Sequence, residues 1–197
     1  MKKLILALCL LFAVPTYAEA VTEAEEPDII LVDEGTDRDT ESDELTLLPV
    51  LTMKDFNYEG ETDVFKYTIN SIQISTINFK DDTLTELLEL ETGVEYGCIV
   101  IEYTFENTGK DTMYIQPNDS TIVVNKEQVN ANYFLSDDIS GEYLGSVQKD
   151  GQLIYILQKS VAEDIKEFRL VIKSPYDEGY EHHGEDIDLT FKVGDSE

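Results

Sequence analysis

Two acidic clusters and one aromatic loop in this 197-residue chain carry side chains whose types could do chemistry. Tyr180-Glu181-His182-His183-Gly184-Glu185-Asp186 sets both histidines of the chain among carboxylates, the donor types a transition-metal ion takes. Adjacent side chains converge on one ion only where the loop folds back, and no third ligand stands at a defined spacing, so a solvated loop is expected. Asp137, Asp138 and Glu142 form an oxygen-rich set suited to calcium, which binds carboxylates and carbonyls; Asp186 with Asp188 is a second such pair. No stretch matches an EF-hand loop, and carboxylate pairs arise by chance in so acidic a chain. No other cofactor is indicated. Tyr176, Tyr180, His182 and His183 make up a candidate binding loop, whose rings could stack on sugars.

Nucleophilic catalysis finds no foothold. There is no Gly-x-Ser-x-Gly elbow, no Cys–His arrangement and no glycine-rich phosphate loop. Paired carboxylates can hydrolyse glycosides, which keeps a glycan hydrolase built on Asp137, Asp138 and Asp186 as an alternative. A subsite cleft is normally lined with Trp, however, and this chain has none. Asn118-Asp119-Ser120 has the glycosylation spacing and is expected to be a turn. With 42 acidic residues against 14 Lys and Arg, the net charge is −28. That argues against nucleic acid, whose recognition needs clustered bases, and against anionic lipid surfaces.

The first residues read as an export signal. Lys2 and Lys3 precede the apolar run Leu4–Val14, and small residues offer cleavage after Ala18 or Ala20. The run is too short to span a bilayer. Leu6-Ala7-Leu8-Cys9 departs from a lipobox, since Leu8 is not small, so a lipoprotein is not expected. Cleavage removes Cys9 and leaves Cys98 alone in an apolar strand, a buried thiol with no histidine to activate it. From Glu19 to Glu44, twelve acids face the single base Arg38. The expectation is a signal peptide over 1–18 and a disordered acidic linker over 19–60, its Glu19–Glu44 part too polar to offset its ordering entropy and its apolar patch Leu45–Met53, interrupted by Pro49, leading into the folded part. Within it, Ile29-Ile30-Leu31-Val32 is an apolar island, expected to be a transient strand, with docking to a partner's sheet edge as the alternative.

Those loops need a scaffold, and the pattern from Val64 onward supplies one with period two. Phe65, Tyr67 and Ile69 alternate; the phase slips at Asn70-Ser71, resumes at Ile72 and Ile74, and slips again at Ser75-Thr76. Ile99, Ile101, Tyr103 and Phe105 form one face of a central strand. Phe168–Ile172 and Ile187–Val193 read as half-buried antiparallel strands. Lys149-Asp150-Gly151-Gln152 predicts a hairpin turn. Met113–Gln116, Thr121–Val124 and Gln128–Phe134 are weaker strands. Thr83-x-x-Glu86 with Asp82 predicts a short helix stopped by Gly93. The sum is an all-β, immunoglobulin-like antiparallel two-sheet sandwich over 64–193 with one short helix; a closed barrel is the alternative.

The run Tyr96–Gly109 ends in Asn107-Thr108-Gly109 and leads through a short strand and a polar segment to Gly145–Leu157. This resembles the secreted, immunoglobulin-like domain-of-unknown-function family of Gram-positive bacteria that some catalogues file under a telomeric-repeat-binding-factor name. The resemblance spans roughly Val64 to Val193. Where members often have Pro-Gly near the second hairpin, this chain has Asp150-Gly151. It implies no catalytic motif. The function expected is a secreted, non-enzymatic module engaging an extracellular or cell-envelope protein, with no membrane span after cleavage. A protease inhibitor presenting the Leu135–Glu142 and Pro175–Glu185 loops is the alternative.

Overall fold

A computed structural model describes residues 29–31 and 40–194. The signal segment, both cleavage positions and most of the acidic tether lie outside the described residues. The long strands β5 (Phe65–Phe79) and β6 (Glu95–Asn107) pair antiparallel over almost their whole length. With β11 (Gln148–Leu157), β3 (Leu45–Met53), β2 (Thr40–Glu41) and β4 (Tyr58–Thr62) they form a six-stranded sheet. The facing sheet runs β1 (Ile29–Leu31), β13 (Ile187–Val193), β12 (Glu167–Ile172), β8 (Thr121–Val124), β9 (Glu127–Asn130). A two-stranded sheet of β7 (Met113–Ile115) and β10 (Gly141–Tyr143) stands apart. The chain is an all-β two-sheet sandwich with separate, open sheets, so the barrel alternative falls.

The core lies between the two sheets. Phe168 stacks on Phe191 at 4.8 Å, and Phe65 meets Tyr143 edge-on at 5.2 Å, all four fully buried. Each such side chain contributes roughly 1.5–3 kcal/mol by leaving water. A second, smaller cluster covers the outer face of the six-stranded sheet. There Ile77, Phe79, Tyr96, Cys98 and Ile156 pack beneath Leu84 and Leu88 of α1 (Asp82–Leu88). Burial pushes the Cys98 thiol up to about 12, which makes it inert at neutral pH.

Several sequence expectations need correction. The slip at Asn70-Ser71 is a bulge in the β5–β6 ladder, and the Asn70 carbonyl accepts from Phe56 and Asn57 N–H. At the second slip β5 keeps register with β6 from Ser71 to Asn78, and the irregularity lies in β3, between Pro49 and Leu51 opposite Ser75 and Ile74. What changes is the buried face, since Ile72 and Ile74 point into the main core while Ile77 and Phe79 point into the outer cluster. The linker boundary at 60 also moves. Leu45–Met53 is a nine-residue strand whose ends feed both clusters, Leu45 and Leu47 the outer one, Leu51 and Met53 the inner. Pro49 sits at its irregularity, where the ladder tolerates a missing N–H. Ile29–Leu31 is a strand with Leu31 fully buried, and its pairing with β13 is parallel, so the sheets are not purely antiparallel.

The Asp150-Gly151 hairpin does not exist. β11 runs straight through it, paired with β6. Gly151 is used for close approach: a Cβ there would meet Ile139 Cγ2 at 2.6 Å. Asp150 accepts from Thr104 Oγ1 at 2.9 Å instead of capping a turn. The helix is capped by Asp81, whose Oδ1 accepts from Leu84 N–H at 2.8 Å, two positions before the Thr83 of the expected box. It stops at Glu89 in the left-handed region, well short of Gly93, because Leu90 turns back to pack on the outer cluster. Among the described residues, no helix is long and apolar enough to cross a membrane.

Candidate functional site

The two-stranded sheet carries the site. In its register Tyr114 of β7 stands opposite Glu142 of β10. On its other side β7 is extended by the 175–185 loop: Tyr114 and Tyr176 exchange backbone hydrogen bonds at 2.8 and 2.9 Å, and Tyr176 is bridged in turn to His182. Directly opposed residues share a face. Glu142, Tyr114, Tyr176 and His182 therefore form one row across four chain segments, with neighbours about 4.8 Å apart. Tyr180 adds to it from the loop tip. The Tyr114 and Tyr176 rings stack at 5.5 Å, and Tyr176 and Tyr180 at 5.8 Å, nearly parallel in both cases. Gln116 Nε2 donates to the Tyr176 hydroxyl at 2.9 Å and fixes the middle ring. Tyr180 is 80% exposed.

The loop is built to hold that tip. Asp177 Oδ1 accepts from Gly179 and Glu181 N–H at 2.8 and 3.0 Å, an Asx turn. It places Tyr180 at φ +61°, a conformation that bulky residues rarely adopt. Gly184, at φ +71°, lets the returning chain lie against Thr62, where a Cβ would meet Oγ1 at 2.5 Å. Thr62 Oγ1 donates to the Glu185 carbonyl at 2.7 Å. Partial burial and the nearby carboxylates of Glu142 and Glu178 raise the Tyr114 phenol above its ordinary value.

His183 does not join the row. Its Nε2 lies 3.1 Å from Asp177 Oδ2 and its Nδ1 3.6 Å from Asp63 Oδ2. The hydrogen bond to Asp177 raises the imidazole above its usual range and lowers Asp177 below the usual carboxylate range; Asp63 and Glu181 add to the first effect. His183 folds with a raised value, so its contribution is complete below the ordinary histidine pKa and fades as pH rises through the folded one. Asp177 gives the opposite limb, lost as pH falls through its lowered value. Amide exchange at Glu181 and His183, corrected for intrinsic rates, is expected to quicken as pH rises from 5 toward 9. Asp177→Asn is expected to return His183 toward an ordinary titration by NMR. A flat exchange profile would mean that the pair does not hold the loop.

The calcium set is not assembled. Among the described residues, no three His, Cys, Asp or Glu side chains gather to hold a metal ion. Asp137 Oδ2 accepts from Gln152 N–H at 2.9 Å, pinning its loop to β11, and Asp138 is solvent-exposed, while Glu142 belongs to the tyrosine row. Asp186 pairs with Lys173 at 2.7 Å and accepts from Ser174 N–H, and Asp188 takes the Arg169 guanidinium in a fork. His182 keeps to Ser174 and Tyr176. Asn118 is a turn residue: its side chain bonds Ile139 N–H, Ser140 Oγ and the Asp137 carbonyl. Tyr114 was absent from the sequence candidates, its only signal being membership of a weak strand.

No family model matches the chain, and no curated protein matches it significantly. A solved structure shares its fold. A functionally unknown protein from Listeria monocytogenes superposes with a TM-score of 0.57 at 8% identity, over 75% of this chain and 88% of that one. YcdA from Bacillus subtilis, a lipoprotein candidate, gives 0.47 at 15% identity over 68% of this chain and 38% of its own. YjhA from the same organism gives 0.44 at 16% identity, covering 72% of this chain and 100% of its own. At 8% identity the likeness to the Listeria protein concerns the fold alone.

Proposed function

We propose that the chain is an exported, non-enzymatic binding module that engages an extracellular or cell-envelope protein through the Tyr114–Tyr176–Tyr180 stack. The observation that carries this is Tyr180: a large ring, 80% exposed, held in a strained backbone conformation by a dedicated Asx turn. Strain of that kind persists only where surrounding structure over-determines it, and it clusters at ligand-contacting positions. Lys2, Lys3, the Leu4–Val14 run and the resemblance to a secreted family support export.

The test is capture from culture and envelope fractions with the immobilised chain starting at residue 19. Tyr180→Ala is expected to abolish saturable capture. Tyr133→Ser, at another exposed aromatic (78%), is expected to leave it intact. Equal capture by wild type and Tyr180→Ala would remove this surface from consideration.

A further inference from the structure

We propose that the partner presents arginine side chains to this surface on a basic, extended peptide segment; this rests on the tyrosine stack being the binding surface. Three observations point to a cation rather than a sugar. Tyr180 ends the stack 5.8 Å from Tyr176 and is 80% exposed, which leaves its outer face open. A saccharide platform needs several faces side by side, whereas one open face at the end of a stack suits a planar group that continues it. Next, Glu142 stands opposite Tyr114 in the row, and Glu178 lies close enough to act on the Tyr114 phenol. Both carboxylates are exposed, and neither has a cationic partner among the described residues. Last, the whole chain carries −28, so a basic segment is drawn toward it while anionic polymers are repelled.

Arginine fits better than lysine. Its guanidinium is flat, stacks on aromatic faces and forks onto carboxylates, while an ammonium is a hydrated point charge. One guanidinium closes the stack on Tyr180, and a second pairs with Glu142 and Glu178 beside the Tyr114 hydroxyl. The stack is two steps long, 5.5 Å and then 5.8 Å, a span that an extended peptide covers in about three residues. Two arginines about four positions apart, on one face of the extended segment, reach both places.

The probe is a fluorescein-labelled Gly-Ser peptide carrying two arginines four positions apart, with lysine and citrulline versions beside it, titrated into the chain from residue 19. The arginine peptide is expected to bind saturably, several-fold tighter than the lysine peptide and at least tenfold tighter than the neutral citrulline one. Tyr180→Ala, and separately the double substitution Glu142→Gln with Glu178→Gln, are expected to weaken it at least tenfold. Tyr133→Ser is expected to change nothing. Glu59→Gln with Glu61→Gln, which removes as much charge elsewhere, is expected to leave affinity within about twofold. No binding up to about 1 mM, equal binding of arginine and citrulline peptides, or equal losses from the two glutamate pairs would overturn the proposal. A chito-oligosaccharide that binds in a Tyr180-dependent way while the arginine peptide stays inert would replace the ligand class and keep the surface. Only unchanged envelope capture by Tyr180→Ala rejects the surface itself.

Discussion

Glu127→Ala is expected to destabilise the sandwich by about 3–4 kcal/mol, read as a lowered urea midpoint at unchanged slope. Glu127 opens β9 and is only 8% exposed, yet it has no cationic partner among the described residues. Its carboxylate instead accepts backbone N–H groups from the turn that follows β11: Gln158 at 2.7 Å, Lys159 at 3.1 and 3.2 Å, and Ser160 at 2.9 Å. Hydrogen bonds to an ionised acceptor are worth roughly 1.5–3 kcal/mol each, and buried donors left bare cost about as much. The clamp ties the edge of the five-stranded sheet to the edge of the six-stranded one. Against a usual total of about 5–15 kcal/mol, its loss is a large fraction. Glu127→Gln keeps one acceptor oxygen and is expected to fall between wild type and Ala. A loss under about 1 kcal/mol for the Ala variant would show that water satisfies these amides as well as the carboxylate does.

Asn107 is the second point where one side chain carries much of the architecture. It is fully buried at the end of β6. Its Nδ2 donates to the carbonyls of Asp111 at 2.8 Å and Tyr143 at 3.0 Å, and reaches Leu144 at 3.4 Å. Its Oδ1 accepts from Gly109 N–H at 2.9 Å. Asn107→Ala is expected to cost about 2–4 kcal/mol by stranding those groups. Asn107→Asp should cost more at neutral pH, since an ionised acceptor then faces carbonyl oxygens with nothing to donate. The introduced carboxyl would fold with a raised pKa, so the variant regains stability at low pH, where it can donate one proton, and loses it as pH rises. Urea midpoints at pH 4 and pH 7, each taken relative to Asn107→Ala, check this. Parallel behaviour of the two variants would show that Asn107 does not act as a donor.

Asn107 also shows how much the sequence reveals. Asn107-Thr108-Gly109 is legible as a turn because Asn and Gly tolerate its backbone. That the same Asn reaches across to the chain before β11 depends on contacts 36 residues away. The strands were plain where one face is wet and one dry, as in β12 and β13. They were harder to read where a strand buries both faces in turn, as β5 does. Asp150-Gly151 misled because glycine serves two ends, left-handed backbone and close approach, and sequence cannot tell which. At the site, Glu142, Tyr176, Tyr180 and His182 were each visible as chemistry-bearing residues but divided between an ion site and a loop. What unites them is the register through Tyr114, a long-range pairing that no local pattern encodes. Glu127 went unnoticed, although an acid on the same face of a short strand as Val129 is the signal that would have found it.

The parallel pairing of β1 with β13 bears on how the molecule answers a pull. β1 enters the sheet from the N-terminal side, and β13 leaves it at the C-terminal side, so the two strands run the same way, Ile29 beside Phe191 and Leu31 beside Val193. Tension applied between the chain ahead of Ile29 and the chain beyond Val193 would drag these neighbours past each other along their length. Every rung of the pairing then bears load together, in shear, rather than peeling open one at a time as in an antiparallel hairpin pulled from its open end. Leu31, locked in the core with its carbonyl held by Gly194 N–H at 2.7 Å, is the catch that such a load must first release.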